Sequence, residues 1–228
     1  MSQQTIKPLL LHAHEAGPNP FKIAMALEFL KVPYDVKMWE FGNDPQKGVL
    51  GAAFLKINEN GRVPALEDPN TGVVSWESGA IMNYLRRVYD KDGLLGPKSS
   101  NEQDIVDFEK WEQFLLTTLG PMTGQVNWYQ NYNATKNEDA LNRYREQALR
   151  FYGTFEKQLR RSGGETVLGG SRVTAVDLHF QAWVKKHQFA GLSLEECPLV
   201  RQWLARISSL PQVRAAYKKL EDAPRAGE

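Results

Sequence analysis

At 228 residues, with 42% hydrophobic and 24% charged side chains, the chain has the composition of a folded globular protein, large enough for one big domain or two small ones, and not that of a low-complexity or disordered segment. The formal net charge of +1 comes without a dense basic cluster, which argues against a nucleic-acid partner. No apolar run approaches the roughly 18 residues of a membrane span, and the opening MSQQTIK lacks the pattern of a secretory leader, so the expectations are a cytoplasmic location and no membrane partner.

Residues 9–11, an apolar run, predict a short buried strand, and the run from 21 to 30 predicts a helix. Between them lies the turn HAHEAGPNP, which from His12 to Asn19 contains no Ser, Thr, Tyr or Cys to act as a nucleophile. Asn19 is a strong N-cap type and Pro20 is favoured at a first helical position, so NP reads as a helix start. Tyr34, Val36 and Met38 alternate with charged residues, the signature of a half-buried strand. The polar FGNDPQKG then leads to a predicted helix over 52–57 and a turn at ENG. RVPAL and GVVS, separated by DPNTG, read as a hairpin, and a helix over 77–89 follows. The order is strand, helix, strand, helix, strand, strand, helix.

Beyond DKDGLLGPKSSN the strand signal disappears. Ile105, Phe108, Trp111, Leu115 and Leu119 recur every three or four residues, as do Leu141, Tyr144, Ala148, Tyr152, Phe155 and Leu159, so each set lines one helix face as core. Gly120 and Pro121 in GPMTGQ predict a kink. Thr174 and Asp177 form the short-acid version of a capping box. Leu199, Val200, Trp203, Leu204, Ile207 and Leu210 complete a final amphipathic helix. These readings divide the chain into an α/β domain at 1–92, a linker at 93–102 and an all-helical domain at 103–228. Cys197, the single cysteine, excludes an internal disulfide and a CxxC pair, and His14, His179 and His187 show no metal-ligand spacing, so no metal is expected. Any sulfur chemistry must come from a ligand.

NENGRVPALED followed by SWESGAIMNYL resembles the glutathione-binding signature of the cytosolic glutathione transferase family. GPNPFK and GPMTGQ narrow the resemblance to the fungal and bacterial group related to the yeast nitrogen-regulator (prion) protein. The resemblance implies a thioredoxin-like N-terminal domain with a mixed four-stranded sheet and a C-terminal helical bundle domain. It also implies glutathione as co-substrate, an electrophilic or disulfide small molecule as the second one, and a homodimer.

Site roles follow from the same resemblance. Val63–Pro64, which could equally be an ordinary trans bond at a sheet edge, is expected to be cis, with the Val63 backbone pairing the cysteinyl unit of glutathione. Ser78 is assigned to the γ-glutamyl carboxylate and Glu77 to its ammonium, although an acid at a helix start is commonplace by itself. Lys47 and Arg62 are the cations for the glycine carboxylate; here the chain departs from the family, with extra residues after Lys47 and Glu59 in place of the usual proline. Gln125, Trp128 and Tyr129, with His14, are assigned to the second-substrate pocket. Asn19 is assigned the hydrogen bond to the sulfur. The function implied is conjugation of the glutathione thiolate to an electrophile, in fungal secondary or detoxification metabolism. The alternatives are a glutathione-dependent disulfide oxidoreductase and a non-catalytic glutathione-binding regulator.

Overall fold

A computed structural model describes residues 6–225, which fall into two compact units: the chain up to Leu94 together with the stretch from Leu210, and residues from Leu95 to Ser209.

The first unit is built on a four-stranded sheet of β1 (Leu9–Ala13), β2 (Tyr34–Met38), β3 (Ala65–Asp68) and β4 (Val73–Trp76), ordered β2-β1-β3-β4. β1 and β2 run parallel, while β3 is antiparallel to both β1 and β4, so the sheet is mixed as expected of a thioredoxin-like domain. Parallel β1 and β2 require a crossover, supplied by α1 (Pro18–Leu30). Every α1 residue from Pro20 to Leu27 is buried. A helix apolar all round must be covered on more than one side, and both α3 (Ser78–Tyr89) and α9 (Pro211–Glu221) pack on it. Phe21 stacks on Tyr217 with ring centroids 4.4 Å apart.

Two differences from the sequence reading follow. The final helix is α9 and not the stretch ending at Leu210: Leu210 is extended (φ −64°, ψ 138°), as a residue before proline prefers, and Pro211 opens a new helix. That helix belongs with the sheet, not with the helical domain, because α1 needs its cover. α1 itself starts three residues before the predicted position, with Gly17 as N-cap, so Asn19 lies inside the first turn.

A short α2 (Ala52–Leu55) precedes β3. The hairpin DPNTG closes on Asp68: Tyr84 and Tyr89 of α3 both donate to its carboxylate, as does the backbone N–H of Asn70. Burial pushes this carboxyl up, but those donors outweigh it and hold it below its ordinary range. One buried acid thus ties α3 to the β3–β4 hairpin.

The second unit is all-helical: α4 (Glu102–Phe114), α5 (Gly120–Asn127), α6 (Glu138–Ser162), α7 (Ala175–Val184) and α8 (Pro198–Ser209). Its core is aromatic, with Phe155 against Phe180 at 4.4 Å and Trp203 at 5.0 Å. Of the predicted stripes, Phe108, Trp111, Leu115, Leu119, Leu141, Ala148, Tyr152, Phe155 and Leu159 are buried, while Ile105 and Tyr144 are partly exposed. The predicted capping box is present at Thr174 and Asp177. Asp177, fully buried, also accepts from the Val167 N–H at 2.9 Å and the Trp203 indole at 3.1 Å. Leu95, Gly96 and Pro97 are not free linker: Ala175 N–H donates to Leu95 and the Arg172 guanidinium to Pro97.

α4 passes into α5 through a π-helical turn over Leu115–Leu119, and a second one, Trp128–Tyr132, follows α5. A proline inside a helix lacks an N–H and crowds the carbonyl four residues back; the widened turn directly before Pro121 lets the chain keep helical dihedrals there, with Gly120 at φ −60°, ψ −58°. A Cβ on Gly120 would lie 3.1 Å from the Trp183 indole and one on Gly124 3.4 Å from it, so the glycines of GPMTG make room for that ring.

Candidate functional site

Sheet register determines what meets at one end of the first unit. His12 near the end of β1 pairs with Ala65, which opens β3, and Ala65 pairs with Trp76, which ends β4. The residues just beyond each of these positions are the turn at 14–19, Val63–Pro64, and Glu77–Ser78. β2 runs parallel to β1 with Met38 beside Ala13, so the loop carrying Lys47 leaves from the same end. An antiparallel and a parallel neighbour of β1 thus gather four separate sequence segments.

The turn after β1 is closed by the Gly17 N–H donating to the His14 carbonyl at 3.3 Å. The His14 Nδ1 accepts from the Ala16 N–H at 3.0 Å, which leaves Nε2 to carry the proton of the neutral ring. Phe41, itself exposed, stacks on that ring at 3.7 Å. Pro18 and Pro20 bring no N–H to the helix start, so among the first three helical residues Asn19 alone has a backbone donor, next to its side-chain amide. A Cβ on Gly17 would lie 3.8 Å from Val63, which shows how closely the turn approaches the loop before β3.

Val63–Pro64 is a cis peptide bond. The loop leading to it is organised by Asn58, almost fully buried, whose amide donates to the Arg62 carbonyl and whose oxygen accepts from the Asn60 N–H. Gly61 adopts φ +64°, a backbone conformation that L side chains rarely take, and a Cβ there would also lie 3.1 Å from the Val49 carbonyl. This accounts for NENGR as turn chemistry.

Glu77 is the N-cap of α3 at φ 68°, ψ 116°, a conformation that costs a non-glycine residue about 1–3 kcal/mol and that recurs at ligand sites. Its side chain makes no capping bond and is exposed, while Ser78 is buried. Lys47 and Arg62 are both exposed on their loops. In the helical unit Gln125 is exposed and Trp128 half exposed, whereas Tyr129 stacks on Tyr144 at 5.6 Å and lines a cleft with Lys136 and Arg145.

Sequence reasoning passed over two buried polar residues beside this site. His12, 1% exposed, accepts at Nδ1 from the Trp39 indole (2.9 Å) and faces Glu67 at Nε2 (2.7 Å), so it is the neutral Nε2–H tautomer. Burial pushes its pKa down, against the opposing pull of Glu67. Lys22, also 1% exposed, places Nζ 3.4 Å from the Ser78 hydroxyl. The available signal was a lone charge inside the apolar run PFKIAMAL. Cys197 is buried, and burial followed by the nearby Glu156 and Glu196 pushes its thiol up, away from thiolate reactivity. Among the described residues no group of three His, Cys, Asp or Glu could hold a metal ion, and no helix is long and apolar enough to cross a membrane.

Residues 8–87 match the model of the glutathione S-transferase N-terminal domain, and residues 123–219 that of the C-terminal domain. The chain is 32% identical over 217 residues to the Glutathione S-transferase-like protein OpS6 of Beauveria bassiana, covering 92% of this chain and 94% of that one. A glutathione transferase homolog from Lodderomyces elongisporus, solved with two GSH per subunit, is 28% identical, with a TM-score of 0.83 over 93% of this chain and 99% of that one. The nitrogen regulation fragment of the yeast prion protein Ure2p is likewise 28% identical, with a TM-score of 0.82 over 96% of this chain and 99% of that one. Matched by both domain models and nearly end to end by their members, the chain belongs to the glutathione S-transferase family.

Proposed function

We propose that this protein is a cytoplasmic, homodimeric glutathione transferase that holds glutathione at the end of its sheet, keeps the sulfur as thiolate and adds it to an electrophilic small molecule. The observation that carries this reading is the likeness, over 93% of the chain, to a homolog solved with GSH bound. The Ser78 hydroxyl and the first N–H groups of α3 take the γ-glutamyl carboxylate, since both favour an anion. Glu77, exposed beside them, takes the ammonium, and the Val63 backbone takes the cysteinyl unit as an added strand residue would. Lys47 and Arg62 are the cations for the glycine carboxylate.

The turn carries no nucleophile because glutathione brings one. Its task is to lower the thiol's pKa, which a donor to the charged form does. Asn19 in the first turn of α1 is that donor: its amide N–H donates to the sulfur, the thiolate attacks the electrophilic carbon, and the leaving group departs with the electron pair. The likeness to the Ure2p regulatory fragment favours a second reading, a glutathione-binding regulator without turnover.

An assay panel separates these readings. With glutathione and a halonitroarene, an organic peroxide or hydroxyethyl disulfide, conjugation of the arene is expected. Reduction of the disulfide without conjugation would assign the oxidoreductase activity instead. Glutathione binding with no turnover on any of the three would establish the regulatory reading.

A further inference from the structure

A lysine head normally reaches water along its aliphatic stem. Lys22 cannot, because it is the fifth residue of α1 and the helix is buried from Pro20 to Leu27. Packing alone does not require a charge there: methionine fills the same length without desolvating an ammonium. The lysine's ammonium contacts Ser78, which is 5% exposed and opens α3. An ammonium has donors and no acceptor, so the Ser78 oxygen accepts from Nζ. The hydroxyl proton of Ser78 is thereby turned to a different acceptor.

We infer that Lys22 is a positioning residue for the γ-glutamyl end of glutathione: from behind Ser78 it sets that hydroxyl as a donor and supplies the positive charge that an arriving α-carboxylate requires. The inference rests on the glutathione reading above. It gives the charge in the apolar run of α1 a role at the first residue of α3, which its ammonium contacts. The ammonium acts through Ser78, so it discriminates for a carboxylate at one point of the ligand and not for the tripeptide as a whole.

Calorimetric titration of the full chain with two peptides tests it: glutathione, and γ-aminobutyryl-cysteinylglycine, which differs only in lacking the γ-glutamyl α-carboxylate. Lys22→Met should weaken glutathione binding by about 10- to 100-fold, the range for a lost hydrogen bond to a charged group, and leave the analogue's affinity within about threefold. Lys22→Arg, which restores the charge, should recover most of the loss. Should Lys22→Met fail to fold, Lys22→Gln makes the same comparison. A folded charge-free variant that binds glutathione like the wild type overturns the inference, as does one that loses both peptides equally. Wild-type protein that binds neither peptide at millimolar concentration overturns the glutathione reading itself, an outcome distinct from a silent Lys22.

Discussion

Asn19 occupies a first-turn position, with Gly17 as the cap, and this changes what its replacement should do. An N-cap lost to alanine costs about 1 kcal/mol, whereas a first-turn asparagine has no such duty. Asn19→Ala is therefore expected to cost less stability than the loss of an N-cap while lowering turnover by about one to two orders of magnitude, the value of a hydrogen bond to a charged group. Paired thermal melts and rate assays check this, with the pH profile of the bound thiol rising in the variant. An unchanged rate would move the sulfur's donor elsewhere in the turn, with His14 Nε2–H the next to test. His12 makes a second residue-scale prediction. Its folded pKa is lowered, so the neutral form is the one that folds, and its contribution to stability is present above the unfolded value near 6.5 and lost as pH falls below it. Denaturant melts between pH 7.5 and 5 should show stability falling by at most about 1.4 kcal/mol per pH unit from this group. His12→Gln, which keeps an acceptor for Trp39, should flatten that part of the slope.

At the scale of elements, two glycines on helices separate packing from propensity. A Cβ at Gly120 would sit 2.9 Å from the Leu115 carbonyl and 3.1 Å from the Trp183 ring, while one at Gly153 in α6 meets nothing within 4 Å. Gly153→Ala is expected to stabilise by up to about 1 kcal/mol, because alanine loses less backbone entropy in a helix. Gly120→Ala is expected to destabilise by about 1–3 kcal/mol, the usual range for overpacking. Urea titrations of the two variants give opposite signs if this account holds. The same elements show what local spacing can and cannot reveal. The apolar stripes and the Thr174–Asp177 box were legible because helix periodicity and caps are local. The π turn before α5 was not, since it stands directly before Pro121 and where Trp183 approaches from another helix.

At the scale of the molecule, the chain's last helix completes its first unit. α9 buries Val213, Ala216 and Leu220 and stacks Tyr217 on Phe21 of α1. Ending the chain at Leu210 should remove about 5 kcal/mol or more of apolar burial, an amount comparable with the whole stability of many domains. Glutathione is expected to raise the melting temperature of the full chain and not that of the truncated one, with limited proteolysis cutting the latter first before residue 94. A truncated chain that melts and binds like the parent would show that α1 needs no such cover. By itself the sequence determined the kind and order of the elements of the first ninety residues, the hairpin, the capping box and the family, because strand alternation, helix period, turn residues and short motifs are properties of neighbours along the chain. The tertiary structure alone decided where α1 begins, which unit takes α9, and that Lys22 and His12 are buried and paired. Each of those depends on free energy from partners far away in sequence: Ser78 lies 56 positions from Lys22 and Glu67 lies 55 from His12, and nothing in the local pattern around either residue records that the partner will be there.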